Sequence, residues 1–136
     1  MNDRAVLWLR ISYWAGAILD LLAALTMLIP ALFVVSNRLS SFVPEADYRY
    51  AMGMGAPLML GWTVLLLWAD RRPVERKSIL LITLFPVVFG LVVNEVLAVQ
   101  SGFLSAGALI PTWILQACLT TLFIFGYLNA RSIEAK

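Results

Sequence analysis

The chain has no histidine and a single cysteine, Cys118. The first absence excludes imidazole metal sites and histidine acid/base catalysis. The second excludes a dithiol redox pair within one chain, and the position of Cys118 deep in the last apolar run predicts a packing role. Charge is scarce as well, at 13% of residues against 62% apolar, where soluble domains carry about 25% and 45 to 50%. No phosphate loop, dinucleotide fingerprint or lipidation signal occurs, so no cofactor is expected.

What is present is length of apolar run. With a mean hydropathy of +0.89, the chain reads as an all-α, polytopic integral membrane protein. Four runs, Ile11 to Val35, Ala51 to Ala69, Ser78 to Val99 and Leu109 to Leu128, each reach the roughly 20 residues needed to cross about 30 Å of hydrocarbon. The first is about twice as long as the 7 to 15 residues of a signal-peptide core and is expected to remain as a helix. The expected architecture is one membrane domain over residues 1–136, a four-transmembrane-helix bundle with helices over about 5–36, 44–69, 73–99 and 109–130.

Prolines mark expected helix starts. Pro44 precedes Glu45 and Asp47, and Pro73 precedes Glu75, the pattern of proline at the first helical position and acids in the first turn. Pro111 suggests the same for the fourth helix and leaves Ser101 to Ile110 irregular. Each run holds one proline, Pro30, Pro57, Pro86 or Pro111, and an interior proline bends a membrane helix by freeing a carbonyl. Gly53, Gly55, Ala56 and Gly61 predict close approach of another helix to the second.

Orientation follows from lysine and arginine. Arg4, Arg10, Arg71, Arg72, Arg76, Lys77, Arg131 and Lys136 fall on one side, and only Arg38 and Arg49 on the other. Basic residues concentrate on the cytoplasmic side, so both termini are expected there, in a plasma or bacterial inner membrane. The basic residues are topology signals, and no nucleic-acid partner is expected. Trp8, Trp68 and Tyr127 are expected at the cytoplasmic interface, with Tyr48 and Tyr50 at the outer one.

The most informative residue is Asp20, near the middle of a 25-residue run. An ionised aspartate at a helix centre costs roughly 2.5 to 3.5 kcal/mol, while the Leu, Ile, Val and Phe of the same run return about 4 to 7, so the helix inserts with its acid. Asp20 must then be protonated, hydrogen-bonded to another helix or facing a wet cavity. Arg10, about 15 Å away along the axis, is too far for a direct pair. Arg10, Tyr13, Ala17, Asp20 and Ala24 share a three-and-four spacing and are expected to face the bundle interior.

Counted from the cytoplasmic edge, Asp20 lies about 15 Å deep, Gln116 about 18 Å, Trp113 about 22 Å, and Asn94 and Glu95 about 25 Å. These residues, with Trp62 and Tyr13, form the expected ligand-binding set, bounded by Trp113 and the Gly53 to Gly55 stretch. The competing readings are an Asp20–Gln116 hydrogen bond, a Glu95 salt bridge at the rim to Arg38 or Arg49, and core packing for both tryptophans. Four short helices with an acid in the first resemble the small multidrug transporters. The surrounding residues lack that family's motif, and those transporters resemble a dual-topology pair with little charge asymmetry.

Three function classes follow. The leading one is binding or transport of a proton, a cation or a small amphipathic molecule, centred on Asp20. The alternative is a non-catalytic accessory subunit or assembly factor of a membrane complex. The third is a small enzyme on a lipid-like substrate, for which no activated nucleophile is present. The expected partners are the lipid bilayer, a small amphipathic or cationic ligand, and a second copy or another membrane protein.

Overall fold

The computed structural model describes residues 3–134; Lys136, counted above among the basic residues, lies outside them. The fold is an all-α bundle, and the described residues contain no strand. In order, the elements are α1 (Asp3–Leu28), α2 (Pro30–Ser36), α3 (Ala46–Asp70), α4 (Ser78–Ile82), a π-helical segment (Thr83–Val88), α5 (Phe89–Gln100) and α6 (Ala106–Glu134). Four helical stretches, Arg4–Leu28, Ala46–Asp70, Ser78–Gln100 and Ala106–Arg131, are long and apolar enough to cross a membrane.

The four prolines of the apolar runs act in three different ways. Pro30 ends the first span early: Ile29 is extended at φ −115° and ψ 90°, and α2 restarts with the proline at its N-terminus, the residue before a proline being biased away from the helical region. Pro57 is carried inside α3 without a break. Pro86 sits in the π-helical segment, where the wider turn relieves the clash of its ring with the carbonyl four residues back. Pro111 lies inside α6, which already begins at Ala106, so the irregular connection is 101–105 rather than 101–110.

The other expected starts also shift. Pro44 precedes the helix, with Glu45 as its N-cap, and Pro73 belongs to a turn spanning 71–77. There the Pro73 carbonyl accepts the Tyr13 hydroxyl at 3.2 Å and Arg72 pairs with Glu75 at 3.3 Å, which holds the turn in place of a helical start.

Helix α1 is central and packs along α3 and α6, while α4 packs on α6. The core lies in the half nearest the basic 71–77 turn: Leu9, Tyr13, Ala17, Leu66, Ala69, Leu80, Phe123 and Ala130 form one buried cluster. Two unexpected glycines permit the close approach. A Cβ on Gly16 would meet Leu66 Cδ1 and Phe123 Cζ at 2.9 Å, and one on Gly126 would meet Ser12 Oγ at 2.8 Å. Of the expected small residues, Ala56 is buried and Gly55 lies beside Met27 Sδ, at 3.3 Å from its would-be Cβ. Gly53 and Gly61 face open space. Cys118 is likewise exposed on the bundle's outer face rather than packed.

The two ends differ in character. At the basic end Asp70 draws in Arg10 (3.8 Å) and the Trp14 indole N–H (3.3 Å), and the Arg76 guanidinium stacks over the Trp68 ring and donates to the Trp68 carbonyl. At the opposite end Phe42 joins Phe33, Tyr48 and Phe103 through ring contacts of 5.2 to 6.2 Å. Beneath this aromatic cap α5 has no fully buried residue.

Candidate functional site

The expected face of α1 forms as its spacing requires. Tyr13, Ala17, Asp20 and Ala24 are all buried, with Asp20 at 8% exposure. Arg10 departs from it: the residue is exposed and turns sideways to Asp70. An arginine near a helix end extends toward water and an anionic partner rather than entering the core.

Antiparallel register fixes what Asp20 meets. Gly16 sits against Leu66 and, eleven residues later, Met27 sits against Gly55, so Asp20 is level with Trp62 on α3. The Gly16–Phe123 approach likewise puts Leu119 level with Asp20 on α6. Trp62 and Leu119 are both half-buried and packed against the core cluster. The Trp62 indole N–H is already used, donating to Thr83 Oγ1 at 3.0 Å, and the Thr83 hydroxyl in turn donates to the Ile79 carbonyl at 2.8 Å. Asp20 Oδ2 is therefore buried with no hydrogen-bond partner among the described residues.

Gln116 does not serve Asp20. Its amide donates to Glu95 Oε1 at 2.9 Å, which replaces both the expected Asp20–Gln116 bond and the expected rim salt bridge. Glu95 stands closer in sequence to the 101–105 connection than Gln116 does, so the two are not level by hairpin register alone, and their long side chains reach across the offset to meet. Arg49 donates instead to the Pro44 carbonyl at 3.2 Å. Trp113 approaches the Glu95 carboxyl as a further donor, outside the geometry of a full hydrogen bond.

The expected ligand-binding set thus divides. Glu95, Gln116 and Trp113 stand together on α5 and α6, whereas Asp20 lies on the core face of α1. Tyr13 is a core residue tied to Pro73, and Trp62 is a packing residue tied to Thr83. Asn94 is exposed on the outside of α5 and joins neither group, because neighbouring residues on a helix point about 100° apart.

The cavity between α5 and α6 has a volume of about 530 Å³ and is lined by Val92, Val96, Trp113, Gln116, Ala117 and Thr120, among others. It does not extend to Asp20 or to the Gly53–Gly55 stretch, both of which belong to the α1–α3 side. Sequence reasoning missed Thr83, whose hydroxyl holds Trp62, and Asp70, whose carboxylate gathers Arg10 and Trp14. Among the described residues, no group of three or more acidic, cysteine or histidine side chains could hold a metal ion.

No protein-family model, curated protein or solved structure matches this chain.

Proposed function

We propose that the protein binds, and moves within the membrane, a proton or a cation, with Asp20 as the exchanging group. The observation that carries this reading is the Asp20 carboxyl, buried at 8% exposure with Oδ2 unpartnered. A carboxylate held in place for packing alone would be expected to accept hydrogen bonds, since an unmatched charge in hydrocarbon costs several kcal/mol. An acid left without fixed partners is suited to alternate between a neutral protonated state and a carboxylate neutralised by a mobile cation. In this reading both termini are cytoplasmic, with the 71–77 turn on the same side, so the aromatic cap faces outward.

Asp20 reactivity tests the proposal. A hydrophobic carbodiimide adds to a protonated carboxyl, so modification mapped to Asp20 by mass spectrometry should fall as pH rises and should fall again when a cation occupies the carboxylate. Asp20→Asn should abolish it. An Asp20 that resists modification at every pH, or reacts equally with and without cations, would count against the reading.

A second reading, as an accessory subunit, is favoured by one observation: Asn94 presents an amide on the outer surface of α5. An amide within an apolar span hydrogen-bonds readily across helices to a partner.

A further inference from the structure

The α5–α6 cavity is the part of the molecule that the Asp20 reading leaves unused. Trp113 and Gln116 line it, Glu95 stands beside it through its bond to Gln116, and Glu95 Oε2, Gln116 Oε1 and Trp113 Nε1 are each buried without a hydrogen-bond partner among the described residues. The Gln116–Glu95 bond at 2.9 Å uses one oxygen of the acid and one N–H of the amide, so the acid and the amide each retain one free acceptor oxygen. Two free acceptors side by side, one on an acid, call for a donor that also carries positive charge. The walls, Val92, Val96 and Ala117, are apolar.

We propose that this cavity binds an amphipathic amine, its ammonium group donating to Glu95 Oε2 and Gln116 Oε1 and its hydrocarbon chain lying between α5 and α6. The volume of about 530 Å³ is within the roughly 300 to 1,000 Å³ range of small-molecule sites. Trp113 adds an aromatic surface to which a cation is attracted. Depth selects the source of the amine. Glu95 is five residues before the end of α5 at Gln100, about 7 Å along the axis, below the level at which a phospholipid amine would sit. A free single-chain amine dissolved in the bilayer reaches that depth and enters sideways, between two helices that are open to lipid. The site does not include Asp20, and the inference stands apart from the function proposed for that residue.

The test uses the full chain in phosphatidylcholine nanodiscs, titrated calorimetrically with octylammonium and corrected against empty discs. Saturable one-to-one binding is expected. Glu95→Gln should weaken it at least tenfold, and Ala117→Leu, which fills the cavity from an outward-facing position, should weaken it comparably without touching the polar pair. Leu97→Ala, on α5 outside the cavity, should leave the affinity within about twofold, and octanol, with the same chain and no charge, should bind at least tenfold more weakly. Uptake equal to that of empty discs would overturn the proposal. So would saturable binding insensitive to both Glu95→Gln and Ala117→Leu, or binding lost when phosphatidylethanolamine replaces phosphatidylcholine, which would assign the site to a lipid headgroup.

Discussion

Asp20 and Gly16 lie one turn apart on α1 and are constrained in opposite ways. At Gly16 there is no room: a Cβ would come to 2.9 Å from both Leu66 Cδ1 and Phe123 Cζ. Overpacking of this kind costs about 1 to 3 kcal/mol, so Gly16→Ala is expected to lower stability by that amount in a detergent unfolding titration. At Asp20 the unsatisfied feature is electrostatic. Asp20→Asn keeps the shape and removes the charge, so insertion and fold should survive, as judged by helical content and gel filtration, while cation binding is lost. For the wild type the sign of the pH dependence is fixed by chemistry: a cation requires the carboxylate, so lowering the pH adds the competing proton and weakens cation binding. That Asp20 would be buried was legible from its neighbours in sequence, because an acid in an apolar run turns away from lipid whatever the fold. The importance of Gly16 was not, since only the register of α1 against α3 and α6 shows what stands opposite it.

Two helix ends make a matched pair. After α2, Leu39 N–H donates to the Val34 carbonyl at 3.0 Å and Arg38 N–H to Val35 at 3.3 Å. After α5, Phe103 N–H donates to Ala98 at 3.0 Å and Gly102 N–H to Val99, also at 3.0 Å. Both are Schellman closures, which place the residue after the C-cap in the left-handed region. That residue is Gly102 in one, at φ +74°, and Arg38 in the other, at φ 56°. The backbone cost for a residue with a Cβ is about 1 to 2 kcal/mol. Gly102→Ala, whose new Cβ would meet nothing within 4 Å, should therefore destabilise by about 1 kcal/mol, and Arg38→Gly should stabilise by a similar amount, read as opposite shifts in the unfolding midpoint. The existence of the four spans was legible because it depends on length and hydropathy alone. Their ends were less so. A proline followed by acids predicts a helix start equally well at Pro44 and Pro73, but at Pro73 the hydrogen bond from Tyr13 and the Arg72–Glu75 pair stabilise a turn.

Across the whole molecule, packing is uneven: the buried cluster lies toward the 71–77 turn, while α5 at the other end contributes no fully buried residue. A closely packed half and a loosely joined half are what the proposed entry of a ligand between α5 and α6 requires. The 37–45 and 71–77 connections close opposite ends of the bundle, so the charge asymmetry makes a direct prediction. Cysteines introduced at Ser41 and Arg72 in a Cys118→Ser background should react with an impermeant thiol reagent from opposite sides of the membrane, Arg72→Cys from the cytoplasmic side. The division of the polar residues into two groups was not legible, because depth along each span placed Asp20, Gln116 and Glu95 within about 10 Å of one another but gave no lateral position. The claim on which the account rests is that Asp20 is an exchanging carboxyl. It is tested most directly by infrared difference titration of the reconstituted wild type against Asp20→Asn. The account predicts a carboxylic-acid carbonyl band in the wild type that diminishes as pH rises or cation is added, with a proton released on cation addition, and that is missing from the variant. Titrations that coincide for the two proteins would contradict it.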